Sequence, residues 1–204
     1  MAPVVLDLQN ADDPRDVIHR CVQALSEGRL VLLPTETTYV LAASALHPTA
    51  AERLCSTCDP CTVALGLRGG EAALDYLPDI SPLGIRLLRR SWPGPICLEF
   101  EVKQRESVVH RLAPCWVEAV KRQEKLRLRA PAHSMVLELM RLLVGPLLLR
   151  EITDENGEGG QFESSLQQVS EYCSLAVNDG VCKYAQRASV VQVIGSQYHV
   201  VTEG

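Results

Sequence analysis

"LVLLPTETTYVLAASA", residues 30–45, holds two apolar runs joined by a tight polar "TETT". The first run, "RLVLLP" (29–34), is too short for a helix and ends at Pro34, so it reads as a buried strand. "YVLAASA" (39–45) reads as a second strand leaving the turn. Strands this apolar have no polar face to turn to water, so they need helices to cover them.

The flanking sequence supplies those helices. Upstream, "VVLDL" (4–8) reads as a short strand, and Asp13 and Pro14 stand where an N-cap and a first helical residue belong. Val17, Cys21 and Leu25, with Ile18 and Val22 beside them, repeat at helical spacing until Gly28 stops the helix. Downstream, Pro48 opens a helix running through Leu54, and "VALGL" (63–67) returns as a strand. Ser81 and Pro82 open a helix carrying Ile85, Leu87 and Leu88, which runs into the rigid turn "SWPGP" (91–95). "ICLEFEV" (96–102) alternates apolar and acidic residues, the pattern of a half-buried strand.

"LRLRAP" (126–131) is a short strand, followed by a helix over 133–144 with Val136, Leu139, Met140 and Leu143 on one face. "GPLLL" (145–149) is a strand and "TDENGEGGQ" (153–161) an acidic, glycine-rich loop, after which Ser164 starts a helix. "SLAVNDG", "ASVVQVI" and "YHVVTEG" close the chain as strands. Alternating strands and helices without a linker predict one α/β domain over residues 1–204.

Composition narrows the function. A net charge of -5 excludes a uniformly basic nucleic-acid coat. Eight of the twenty basic residues nevertheless lie between Lys103 and Arg129, against three acids. They form either a solvated helix face plus a strand edge, or a stripe that binds RNA, double-stranded or tRNA. The opening "MAPVVLDLQNADDP" lacks the basic start and long apolar run of a secretory leader, and no later apolar stretch is long enough to span a bilayer. That predicts a cytoplasmic location, in which eight cysteines are reduced thiols rather than a disulfide framework.

Three of them, Cys55, Cys58 and Cys61 in "CSTCDPC", are spaced by three. Thiolates so placed can converge on zinc or an iron–sulfur cluster, but no fourth ligand is close in sequence. Cys173 and Cys182 would complete a site only if the fold brought them near. The expectation is that no metal binds and that the loop has drifted after losing another role.

What that role was follows from a resemblance. "LVLLPTETTYVLAASA", "SWPGPICLEFE", "RLRAPAH" and "GPLLL" before a polar loop occur in the order found in the YrdC-type (TsaC-like) threonylcarbamoyl-AMP synthase family. The chain resembles that family over nearly its whole length. The resemblance implies a twisted mixed β-sheet flanked by helices, with a concave cleft holding the site. It also implies a reaction condensing ATP, bicarbonate and L-threonine into threonylcarbamoyl-AMP, a precursor for modifying the adenosine next to the tRNA anticodon. ATP and Mg would be the cofactors if the synthase activity is retained.

Family positions that hold threonine are matched by Thr35, Arg129 and Ser189. Arg129 is the most informative, because a guanidinium grips a carboxylate with two parallel hydrogen bonds. Alternatively, Arg129 is an ion pair on a strand edge and Thr35 a residue favoured by turn geometry. Tyr39 and Trp92 are read as core or turn residues. The family's cationic lysine-x-arginine-proline loop is "TCDP" here, with Thr57 and Asp59 in place of the cations and Pro60 kept. Its serine-alanine-asparagine motif is replaced within "REITDENG", its serine-threonine pair becomes Ser189 and Val190, and its last-strand arginine becomes Thr202 or Glu203. No nucleotide-binding residue can therefore be assigned.

Three functions compete. The first is a YrdC-like protein without full synthase activity that keeps a pocket for a small amino acid or carboxylate. The second is an active synthase with substituted ATP contacts. The third is a module binding RNA or a protein partner.

Overall fold

The computed structural model describes residues 2–102 and 108–204. Ten strands form one sheet: β1 (Val4–Asp7), β2 (Val31–Leu33), β3 (Val40–Ser44), β4 (Ala64–Gly66), β5 (Ile96–Glu101), β6 (Lys125–Arg129), β7 (Leu147–Glu151), β8 (Leu175–Asn178), β9 (Ser189–Ile194) and β10 (Gln197–Thr202). Six helices accompany them among the described residues: α1 (Pro14–Ser26), α2 (Pro48–Cys55), α3 (Pro82–Ser91), α4 (Pro114–Gln123), α5 (Ser134–Leu142) and α6 (Phe162–Val169). The strand order is β1-β8-β2-β3-β7-β4-β6-β5-β9-β10, and parallel and antiparallel pairs are mixed.

The local signals act as expected at several ends. Asp13 accepts a hydrogen bond from the Arg15 N–H and caps α1, and the Ser81 hydroxyl accepts from the Gly84 N–H to cap α3. Gly28, which ends α1, has φ +74°, and a Cβ there would fall 2.4 Å from the His47 ring. Glycine is required on both counts.

Helix α4 is the solvated helix face that one reading of residues 103–129 expected without setting its ends. Pro114 opens the helix, which buries Trp116, Val117 and Val120 while Lys121 and Arg122 stay exposed. Lys103 and Arg105 of that segment lie outside the described residues.

Strand alternation sorts side chains between two cores. Leu32, Leu41, Ala43, Leu65, Leu98, Leu128 and Leu148 face a core shared with α2, α3, α4 and α6. Val31, Leu33, Val40, Ala42, Leu147 and Leu149 face the other side, where α1 and α5 pack. Beyond β7 that second side carries no helix among the described residues. Over β4, β5 and β9 it presents only a small apolar patch, Ala64, Cys97, Ala188 and Val190. This bare half of the sheet is where charged side chains gather.

Candidate functional site

The site is built from three loops and the bare half of the sheet. The "TETT" turn folds on itself: the Thr35 hydroxyl donates to the Thr38 carbonyl at 2.6 Å and accepts from the Thr37 N–H at 3.2 Å. The turn is clasped to the segment after β6, because the Ala132 N–H donates to Glu36 Oε2 at 2.7 Å. Tyr39 ties in a third loop. Its hydroxyl donates to the Gly180 carbonyl at 2.9 Å and accepts from the Asp179 N–H at 3.0 Å. Tyr39 is fully buried and Trp92, whose indole N–H donates to the Ile96 carbonyl, is nearly so. Both serve the scaffold.

Arg129, the last residue of β6, is 1% exposed and lies at the centre. Its Nη2 donates to Thr37 Oγ1 at 2.5 Å and to Thr35 Oγ1 and Glu36 Oε1 at 3.3 Å. Its Nη1 donates to Glu151 Oε1 at 2.6 Å, and the same carboxylate oxygen accepts from the Ala188 N–H at 3.0 Å. The Nε–H has no acceptor among the described residues. Two carboxylates therefore hold one buried guanidinium, as desolvation of a charge requires.

The structure brings Thr35 and Arg129 together but does not place Ser189 with them. Ser189 N donates to the Pro95 carbonyl, and its hydroxyl accepts from the Gly204 N–H at 3.1 Å. Alternation turns the next residue, Val190, toward the site instead. Val190 lines a cavity of about 30 Å³ together with Thr62, Ala64, Cys97, Arg127, Arg129, Leu149 and Glu151. A space of that size holds about one water molecule. The Ala132 N–H to Glu36 bond brings "PTET" and "RAPAH" into direct contact.

The residues replacing the expected cations are committed to local structure. The Thr57 hydroxyl donates to the Leu54 carbonyl at 2.6 Å at the end of α2. Asp59 caps the tight turn Pro60–Thr62, accepting from the Cys61 N–H at 3.1 Å. Backbone and side-chain hydrogen bonds from Cys61 hold the Asp59 carboxyl below the usual range. An ionised carboxylate here repels phosphate.

The basic ladder on β6 is likewise engaged. Lys125 Nζ and Arg127 Nε each lie 2.9 Å from a different oxygen of Glu99 on β5, which stands directly across from Arg127 and diagonal to Lys125. Burial would raise the Glu99 carboxyl, but the bonds from Lys125 and Arg127 outweigh it and its pKa is lowered. These two cations face an acid rather than an open basic stripe.

The cysteine loop is not arranged as a metal centre. Among the described residues no three His, Cys, Asp or Glu side chains are placed to hold a metal ion. Cys55 Sγ instead lies 3.7 Å from Cys115 Sγ of α4, and Arg122 Nη2 donates to Cys61 Sγ at 3.5 Å. Cys182, a conceivable fourth ligand, is buried beside Thr35, and burial pushes its thiol up to about 11. Glu36, Thr37 and Glu151 are the site residues that sequence reasoning missed. The acid within "PTET" was visible in the turn motif, whereas nothing local marked Glu151.

Residues 23–204 match the family model Sua5/YciO/YrdC, described as telomere recombination. The threonylcarbamoyl-AMP synthase of Pyrococcus abyssi is 30% identical over 133 residues, covering 60% of this chain and 34% of that protein. This chain thus spans about a third of that relative. Among solved structures, Pyrococcus abyssi Sua5 complexed with L-threonine superposes with a TM-score of 0.80 at 18% identity, over 98% of this chain and 57% of the other. Escherichia coli YciO gives 0.78 at 18% identity, over 100% and 96%. At that identity the two structures establish the fold.

Proposed function

Because this chain belongs to the Sua5/YciO/YrdC family, we propose that it is a relative of threonylcarbamoyl-AMP synthase that lacks full synthase activity and keeps a small amino-acid or carboxylate site at Arg129. The reading rests on one contact, Glu151 Oε1 to Arg129 Nη1. Glu151 belongs to the segment that replaces the family's serine-alanine-asparagine motif, and its carboxylate occupies Arg129 Nη1, a donor that a ligand carboxylate would need. An incoming ligand has to displace it. The free ligand then competes with a carboxylate supplied by the chain itself, which weakens binding without removing the anchor.

The catalytic half supports the same reading. Transfer of AMP develops charge on phosphate oxygens, and positioned cations stabilise it. Loss of one such donor costs on the order of a hundredfold or more in turnover, and here Thr57 and Asp59 replace two. A second reading, an active synthase with substituted cations, draws on Arg150, close enough to Cys58 to bias its thiol electrostatically.

The test is turnover. Purified protein is incubated with ATP, Mg, bicarbonate and L-threonine while pyrophosphate and threonylcarbamoyl-AMP are measured. The proposal expects no release above a no-enzyme control. Release that disappears in Arg129→Ala, in protein verified as folded, would instead establish the second reading.

A further inference from the structure

We propose that Cys55 and Cys115 form an oxidisable thiol pair, closing to a disulfide between α2 and α4 on reaction with a hydroperoxide. Neither residue has a part in the Arg129 site. Cys55 is the last residue of α2 and Cys115 the second of α4, and their sulfurs are in contact at 3.7 Å. A disulfide needs about 2.05 Å, so closure takes a shift of less than about 2 Å. That is within reach of side-chain adjustment at two helix ends.

The two thiols differ in a way that orders the chemistry. Cys115 is partly exposed and Cys55 is buried, so a solvent-borne oxidant meets Cys115 first. Burial, and then the neighbouring Cys115, push the Cys55 thiol well above its usual range, which leaves it protonated as the resolving partner. The Cys115 sulfur attacks one peroxide oxygen, the O–O bond breaks, and the departing alkoxide, or hydroxide from hydrogen peroxide, takes the Cys115 thiol proton and leaves as an alcohol or water. Cys115 is now a sulfenic acid. The Cys55 sulfur attacks that sulfur, the S–O bond breaks, and the departing hydroxide takes the Cys55 proton and leaves as water. In sum, two thiols are oxidised to one disulfide and one hydroperoxide is reduced to an alcohol and a water.

Position gives the bond its consequence. Cys55 stands at the base of the 55–61 loop, so the disulfide fastens that loop to α4 and closes a long segment of chain. A cross-link over such a segment restricts the unfolded chain and raises the melting temperature.

The experiment is a thiol map of the full chain. Reduced protein is treated with stoichiometric hydrogen peroxide, free thiols are alkylated, and peptides are identified by mass. We expect a peptide pair joined through Cys55 and Cys115, reversed by dithiothreitol, with the melting temperature raised by about 5 °C in the oxidised form. Cys115→Ser should lose both effects, while the double variant Cys58→Ser, Cys61→Ser should keep them. Quantitative alkylation of Cys55 and Cys115 after peroxide would overturn the proposal. So would a dominant Cys55–Cys58 link, or sulfinic acid at Cys115 without any cross-link.

Discussion

Glu151 reaches Arg129 across an intervening strand: the two residues lie on β7 and β6, β4 runs between them, and Oε1 and Nη1 meet at 2.6 Å. The residues β4 presents on that side are Ala64 and Gly66, which leave room for the contact. A Cβ on Gly66 would stand 2.6 Å from Leu149 Cδ1, so the Leu149 side chain already fills the space over that glycine. Small residues on the middle strand allow a guanidinium and a carboxylate two strands apart to pair.

Arg129→Ala is expected to be strongly destabilising. It leaves Glu36 and Glu151 without their shared cation in a buried site, a change that commonly costs about 3–5 kcal/mol. Urea unfolding followed by circular dichroism measures it. A loss under about 1 kcal/mol would place the three charges in water rather than in a sealed cluster.

Much of the arrangement around Arg129 was legible in the sequence, and the limits have physical causes. Thr35 and Arg129 were assigned by resemblance to the family's motifs, with turn geometry and a strand-edge ion pair as their alternatives. Glu151 was not, since its role depends on β4 being inserted between β6 and β7, a long-range pairing that no local pattern encodes. Ser189 was assigned by resemblance, yet strand parity turns Val190 rather than Ser189 toward the cavity. The ends of α4 escaped because its apolar face, Trp116, Val117 and Val120, is interleaved with cations that register first as charge. Cys115 could not be matched to Cys55 before the packing of α4 on α2 was known.

Glu99 predicts part of the acid response. Its pKa is lowered in the folded protein, so the unfolded chain takes up its proton first as pH falls. Its contribution is fully present above its ordinary value of 4.5 and is lost as pH drops through the lower folded value. Stability measured from pH 7 to pH 3 should therefore fall less steeply at the acid end in Glu99→Gln than in the parent. Parallel curves would remove Glu99 from the account.

Chelation should leave the protein unchanged. With no triad of ligands among the described residues, the melting temperature is expected to be the same with and without EDTA, and elemental analysis of reduced protein should find no stoichiometric zinc or iron. One zinc per chain, lost in Cys58→Ser, would make the 55–61 loop a structural metal site.

The most direct measurement is a calorimetric titration of L-threonine into the parent protein and into Glu151→Ser, both verified as folded. If Glu151 competes for Arg129 Nη1, the parent binds weakly and the variant at least about tenfold more tightly, a gain of about 1.4 kcal/mol. Equal or weaker binding by Glu151→Ser would contradict the account, because the carboxylate would then not be what stands between Arg129 and a ligand.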